Sequence, residues 1–353
     1  MKAAQSLFLL CAATGMVMSR RTGSDYRFVG RVNPETKELT WASTGVAFTF
    51  TGTTASININ SANGTSSVAL FINDNGPIII PNVNGTSIST PTISRGTHAV
   101  ELRKRSESDF GTFRITDVTT DGTLVPSRAP KRKIEIIGDS ISVGYGLDGI
   151  MPCNNSAILE DNPKTYGALA ANAVDADYSV VAWSGKGLVR NYYRSTPPDQ
   201  SPTMPVIYTR YGANDTDGSF TFPQSWVPDA VVINLGTNDF GYVGVRETVA
   251  PADLTAALVE LMEKIHWHYP SAKFFLVSSP LLSDDYPTAA DAQKTTQLRV
   301  YQDAADQLTN VPTRIVDWPA QGSDTGCSYH PNAATQAKGA ALLEEAMRDE
   351  MGW

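Results

Sequence analysis

The feature that most constrains the fold is the run Ile-Glu-Ile-Ile at residues 134–137, followed at once by Gly138, Asp139 and Ser140. A short Ile-rich run is typical of a strand buried on both faces of a parallel sheet. The turn residues after it predict a helix start, which places Ser140 at the carboxyl end of a central strand, where open α/β sheets bind ligands. Ser140 is therefore a candidate nucleophile and oxyanion donor. Taken alone, the tripeptide is better explained as an ordinary strand-to-helix turn with Ser140 as the helix N-cap.

Three later residues strengthen the catalytic interpretation. Asn238 follows another apolar strand in Gly-Thr-Asn-Asp and can donate to a developing oxyanion. His330 precedes a predicted helix and supplies an imidazole within reach of the same sheet edge. Gly185 lies in Trp-Ser-Gly-Lys-Gly after the second strand, where a glycine can turn a backbone N–H toward Ser140. The sequence therefore predicts a nucleophile, a base and an oxyanion hole at one edge.

From residue 134 to residue 353, strands and helices alternate. We predict a helix over residues 253–268 behind an Asp253 cap, and a last helix over residues 333–348 that begins after Asn332. The predicted strands lie near residues 134–137, 178–182, 230–235, 274–278 and 314–317. This pattern predicts a parallel sheet with helices on both faces.

The segment before that domain has a different residue pattern. Residues 25–123 contain several short runs that alternate apolar and polar residues, separated by Asn and Gly turns. Alternation without a helical pattern predicts a β-sandwich, jelly-roll-like in type. Residues 124–133 carry two prolines and several basic residues, and we interpret them as the linker.

Residues 1–19 have a positive start and an apolar centre, which predicts a secretory signal peptide and a secreted, extracellular protein. Removal of Cys11 leaves Cys153 and Cys327, which we expect to form a disulfide because both lie at the catalytic edge. The alternative is two buried free thiols. Four Asn-X-Ser/Thr sequons are candidate glycosylation sites, at Asn63, Asn84, Asn154 and Asn214.

The amino-acid composition limits the classes of partner that the protein can bind. The formal net charge is -8 and charged residues make up 18%, so nucleic acid is a poor partner. No apolar run reaches the ~20 residues that cross a bilayer. His266 and His268 are two apart on a predicted helix and face different sides, so we expect surface or packing roles rather than a metal site. We predict a monomer without metal or cofactor.

Together the motifs around Ser140, Gly185, Asn238 and His330 resemble those of the SGNH (GDSL-type) hydrolases. From about residue 28 onward the chain resembles carbohydrate esterase family 2, whose members pair a β-sandwich with an SGNH domain built on a flavodoxin-like parallel sheet. The resemblance implies that Ser140 is the nucleophile, His330 the base, and Ser140 N–H, Gly185 N–H and Asn238 the oxyanion hole. It also implies action on acetyl groups of plant cell-wall polysaccharides such as xylan and glucomannan.

The sequence differs from this family at the position of the acidic residue that precedes the catalytic histidine. Many SGNH enzymes carry Asp three residues before the His, where this chain has Cys327, and the acid position of this esterase family is occupied by Ser328. We therefore predict a Ser-His dyad in which a backbone carbonyl or the Ser328 hydroxyl orients His330. Asp324 is a weaker candidate for that role.

By the same resemblance, Tyr329 occupies the position of an aromatic that closes over the sugar. Tyr145 and Trp183 are further candidates for stacking on a pyranose ring, and for Trp183 a core role is at least as good an interpretation. Two other functions stay open: a GDSL lipase or esterase acting on other short-chain esters, and a carbohydrate-binding protein whose catalysis has degraded.

Overall fold

The structure, a computed structural model, describes residues 25–192, 199–241 and 247–353. The predicted signal peptide at residues 1–19 and Cys11 lie outside these ranges. The strands are β1 (Tyr26–Val29), β2 (Glu38–Leu39), β3 (Gly45–Gly52), β4 (Ala55–Gly64), β5 (Val68–Ile72), β6 (Ile78–Ile80), β7 (Ser87–Ser89), β8 (Gly96–Lys104), β9 (Gly111–Thr120), β10 (Thr123–Val125), β11 (Arg132–Gly138), β12 (Ala176–Ala182), β13 (Ala230–Asn234), β14 (Lys273–Val277) and β15 (Thr313–Val316). The helices are α1 (Ser140–Val143), α2 (Tyr166–Ala173), α3 (Met204–Ile207), α4 (Pro251–His268), α5 (Gln293–Gln307) and α6 (Ala333–Met351).

The N-terminal part is a β-sandwich. One antiparallel sheet has the order β1-β3-β8-β5-β6 with β10 also paired to β3, and the other has the order β2-β9-β4-β7. Alternate residues of β3, Val46, Phe48 and Phe50, face a core that also contains Phe113 of β9. This alternation is the period of two expected of a strand with one buried face.

The C-terminal part contains a parallel sheet with the order β12-β11-β13-β14-β15, the flavodoxin-like arrangement. β11 is buried between β12 and β13, as its Ile-rich sequence predicts. Helices α4 and α5 cover one face of the sheet, and α2 and α6 cover the other, each with its own apolar cluster. The predicted fold class, a sandwich followed by a parallel α/β domain, is confirmed.

Some predicted boundaries need correction. The unpaired linker is residues 126–131, shorter than the predicted 124–133, because β10 adds a strand to β3 and β11 begins at Arg132. Helix α4 begins at Pro251 without a side-chain cap, so Asp253 lies in its first turn and does not cap it. Proline suits this first helical position because it has no N–H to be satisfied and its fixed φ already fits the helix. Asn332 does cap α6, accepting a hydrogen bond from Thr335 N–H at 3.0 Å.

Buried ion pairs join the two parts. Arg31 Nη2 lies 2.5 Å from Glu135 Oε1 on β11, and both side chains are almost fully buried. Arg105, in the loop between β8 and β9, pairs with Asp161 at 3.0 Å. Buried charges persist only where they are paired, so these contacts indicate a specific docking of the sandwich on the α/β domain. Among the described residues, no helix is both long and apolar enough to span a bilayer.

Candidate active site

Ser140 is placed by the tight turn that ends β11. Gly138 is required there, because an added Cβ would lie 2.1 Å from the Ser142 Oγ. Asp139 caps α1 by accepting a hydrogen bond from Ile141 N–H at 2.9 Å. Ser140 is then the first residue of α1, and it is 6% exposed. The hydroxyl therefore lies at the carboxyl edge of the sheet, as predicted, at the start of a helix.

His330 reaches Ser140 from the loop that precedes α6. Its Nε2 lies 2.9 Å from Ser140 Oγ, and its Nδ1 lies 3.1 Å from the backbone oxygen of Ser328. The carbonyl of Ser328, rather than its hydroxyl, makes this contact with the ring. With Nδ1 as the donor toward that carbonyl, Nε2 is the ring nitrogen that can accept the Ser140 proton. The Tyr145 ring packs beside the imidazole, with 4.3 Å between the ring centroids.

Asn238 and Gly185 face the same cleft as Ser140 and His330. Asn238 follows β13 in a 3₁₀ turn, and its Nδ2 donates to the Lys186 backbone oxygen at 2.8 Å and to Asp139 Oδ2 at 3.2 Å. Gly185 has φ of 81°, a left-handed conformation that favours glycine. The cleft measures about 570 Å³. It is lined by Ser140, Tyr145, Ser184, Gly185, Tyr192, Thr237, Asn238, Leu281, Ser328 and His330.

Two acidic side chains organise this edge. Burial raises the pKa of Asp139 to about 7, although the Ile141 N–H opposes the shift. Asp239 accepts backbone N–H groups from Leu188, Val189 and Arg190 at 2.8 to 2.9 Å. The Asp of Gly-Thr-Asn-Asp therefore holds the chain that follows Gly185, a role that sequence reasoning missed.

The structure contains the predicted disulfide between Cys153 and Cys327, which are separated by 174 positions. Cys327 is fully buried, and its N–H donates to the Gly146 carbonyl at 3.0 Å. The bond therefore joins the loop after α1 to the loop that carries His330.

Opening this disulfide with Cys153→Ala is expected to lower both stability and turnover. Loss of a long-range cross-link costs roughly 2–4 kcal/mol in the free energy of unfolding. Turnover of p-nitrophenyl acetate should fall by about 10-fold with KM little changed, because the His330 loop loosens while the cleft remains. Steady-state kinetics and thermal melts measure the two effects, and unchanged values for both would contradict the expectation. Peptide mapping without reduction provides the control, since separately alkylated cysteines would show that the bond does not form.

The aromatic candidates occupy different places. Tyr145 lines the cleft, whereas Tyr329 is 69% exposed and does not contribute to the cleft lining. Trp183 packs edge-on against Trp41 of the sandwich, and its Nε1 donates to Asp109 Oδ1 at 2.9 Å. The structure thus places Trp183 in the interface between the two parts. Tyr192, which no pattern singled out, lines the cleft and donates its N–H to the Gly185 carbonyl at 2.7 Å.

The remaining candidates lie outside the cleft. His268 stacks on Phe222, and His266 packs near Phe274. Within residues 25–192, 199–241 and 247–353, no group of three His, Cys, Asp or Glu side chains is arranged to hold a metal. The sequon asparagines are all exposed at Asn63, Asn84, Asn154 and Asn214.

Comparison with known proteins places this geometry in a family. The carbohydrate esterase 2 N-terminal model matches residues 28–130, and the GDSL-like lipase/acylhydrolase family matches residues 136–338. The chain is 29% identical over 295 residues to an acetylxylan esterase / glucomannan deacetylase of Cellvibrio japonicus, covering 80% of this chain and 78% of that protein. It is also 29% identical to the cellulase/esterase CelE of Acetivibrio thermocellus over 91% of this chain, but spans only 38% of that protein's length.

A solved structure gives a higher identity. A carbohydrate esterase family 2 enzyme of Corynascus thermopiles (Myceliophthora fergusii), solved with a carbohydrate-binding domain, is 59% identical. The alignment covers 93% of this chain and 100% of that one, with a TM-score of 0.90. The chain therefore belongs to the GDSL-like lipase/acylhydrolase family and to carbohydrate esterase family 2.

Proposed function

We propose that this protein is a serine esterase that removes O-acetyl groups from cell-wall polysaccharide such as xylan and glucomannan. The observation that carries the proposal is the 2.9 Å contact between Ser140 Oγ and His330 Nε2 in a cleft that also holds Gly185 and Asn238. A hydroxyl, a base and oxyanion donors at one point are the groups that acyl transfer requires.

The chemistry proceeds through an acetyl-enzyme. His330 takes the hydroxyl proton as Ser140 Oγ attacks the acetyl carbonyl carbon, and the negative oxygen that forms receives hydrogen bonds from the oxyanion hole. The C–O bond to the sugar breaks, and His330 returns the proton to the departing sugar oxygen. Water then attacks the acetyl group with His330 again as base, which releases acetate and restores Ser140.

The base acts in a Ser-His dyad. The position three residues before His330 is Cys327, which is engaged in the disulfide, and the family's acid position is Ser328. The Ser328 carbonyl, 3.1 Å from Nδ1, supplies the tautomer control that a carboxylate gives in a triad. A neutral carbonyl stabilises the charged imidazolium less than a carboxylate does, so the oxyanion hole supplies a larger share of the rate.

The substrate assignment rests on the relatives and on the cleft. The Cellvibrio japonicus relative is named for acetylxylan and glucomannan, and the structural neighbour is a carbohydrate esterase. The cleft is an open one with many polar groups, which suits an acetyl group on a sugar chain better than a long apolar acyl chain. Secretion is supported by residues 1–19, by the disulfide, and by the exposed sequons.

Acetate release from acetylated xylan and acetylated glucomannan tests the proposal, with Ser140→Ala as the inactive control. We expect acetate release with both polymers from the wild type, and an acetyl mass increment on the Ser140 peptide after rapid acid quench. Equal acetate release by wild type and Ser140→Ala would overturn the assignment. Tight polymer binding without acetate release would favour a carbohydrate-binding protein.

A further inference from the structure

The loop between β8 and β9 extends from the sandwich to the catalytic edge. Its Asp109 accepts a hydrogen bond from the Trp183 ring, and its Arg105 carbonyl accepts one from Asn162 N–H at 3.1 Å. Glu107, at the centre of the loop, is 2% exposed. A carboxyl group buried this deeply requires partners to offset its desolvation.

One partner of Glu107 lies in the loop at residues 183–187, which contains Gly185 and is called the oxyanion loop below. Glu107 Oε2 accepts the Ser184 backbone N–H at 2.8 Å, and Ser184 is directly followed by Gly185, whose N–H is assigned to the oxyanion hole. Two residues that are 77 positions apart, on different domains, thus share a buried hydrogen bond. The bond anchors the Trp183–Ser184 peptide, which directly precedes the Ser184–Gly185 peptide that carries the Gly185 N–H.

Glu160 extends the network to the other side of the cleft. Its Oε2 accepts the Glu107 N–H at 2.7 Å, and its Oε1 accepts Asn155 Nδ2 at 2.8 Å. Asn155 Oδ1 in turn accepts the Gly146 N–H at 2.9 Å. Gly146 follows Tyr145, the ring beside His330, and its carbonyl accepts the Cys327 N–H. One hydrogen-bond network therefore reaches both the oxyanion loop and the turn at Tyr145 and Gly146 beside His330.

The pKa values of Glu107 and Glu160 are consistent with the close contact between their carboxyl groups. Burial raises the pKa of Glu107 and raises that of Glu160 further, and the two carboxyl groups contact each other. The pair therefore keeps a proton above the pH at which an exposed Glu loses it. Lys104 Nζ, also buried, donates to the Glu107 carbonyl at 2.8 Å.

We propose that the β-sandwich is part of the catalytic apparatus: Glu107 is a positioning residue that holds the oxyanion loop through Ser184 N–H, and Glu160 couples it to the turn beside His330. The inference rests on the proposed esterase function. A positioning residue acts on the transition state, since a displacement of about 1 Å in a catalytic donor costs on the order of 100-fold in rate.

Glu107→Met tests the proposal because methionine fills the site without an acceptor for Ser184 N–H. For p-nitrophenyl acetate we expect kcat to fall by roughly 10- to 100-fold with KM within about threefold of the wild type. Glu107→Gln retains a carbonyl acceptor, and its amide can replace the shared proton toward Glu160. This conservative variant should restore kcat to within about threefold of the wild type.

The matched control is Glu135→Met, which removes a buried carboxylate at the same domain interface. Glu135 accepts hydrogen bonds from Arg31 and Tyr208 and is not among the residues that line the cleft. It should lower the melting temperature while the folded fraction, quantified by circular dichroism, keeps wild-type kcat. If Glu107→Met does not fold, Asn155→Ala tests the Glu160 arm, with kcat reduced and KM retained as the expected result.

Different results of these experiments test the positioning role of Glu107 and the esterase assignment. Wild-type kcat in folded Glu107→Met, or in Asn155→Ala where that variant has to replace it, overturns the positioning role, as does an equal kcat loss in Glu135→Met. Failure of Glu107→Gln to recover kcat overturns it too. An inactive wild type, or an active Ser140→Ala, counts instead against the esterase assignment itself.

Discussion

Replacing Ser140 or His330 by alanine is expected to lower kcat for p-nitrophenyl acetate by on the order of 10⁴- to 10⁶-fold. The 2.9 Å contact between Oγ and Nε2 makes the two side chains one unit, because the hydroxyl is a poor nucleophile until the imidazole takes its proton. Loss of either member therefore removes the same step. The double variant should be little slower than the slower single variant, since effects within one catalytic unit are not additive.

Matched changes away from the cleft provide the controls for that result. Ser61 lies on β4 of the sandwich and His266 lies on α4, and neither lines the cleft. Ser61→Ala and His266→Ala should keep wild-type kcat under the same assay. Wild-type turnover in His330→Ala would show that His330 takes no part in the reaction. Circular dichroism of each variant shows whether the fold is retained.

Asn238→Ala is expected to lower kcat by roughly 100- to 1,000-fold, the usual loss for one oxyanion donor. The Lys186 carbonyl, at 2.8 Å, fixes the side chain through one amide hydrogen, and the oxyanion competes with Asp139 Oδ2, at 3.2 Å, for the other. KM should change little, because the donor acts on the tetrahedral oxygen rather than on the bound ester. Steady-state kinetics with p-nitrophenyl acetate measure both constants.

The interpretation of Asn238→Ala requires a structural control, because its side chain also ties two backbone segments together. Asn58→Ala on β4 removes an amide from the sandwich and should leave both constants unchanged. Thermal melts of the two variants give the structural cost of each change. An unchanged kcat in Asn238→Ala would exclude the amide from the oxyanion hole.

Local pattern was sufficient for much of the fold. The Ile-rich run of β11 and the alternation along β3 are set by burial on two faces or on one, so period and composition predict them directly. Errors were confined to boundaries, such as the linker and the start of α4. Boundaries depend on caps and on whether one more residue finds a pairing partner, and composition carries little of that information.

The sequence by itself determined that Ser140 and Asn238 share one edge, because parallel strands all end on the same side of a sheet. It also placed His330 within reach of that edge. Only the tertiary structure decided that the Ser328 carbonyl contacts the imidazole, that Trp183 packs against the sandwich, and that Glu107 accepts the Ser184 N–H. These contacts join segments that are distant in the chain or depend on the left-handed turn before His330. Periodicity reports which face of an element is buried, whereas the partner on that face is chosen by the docking of whole domains.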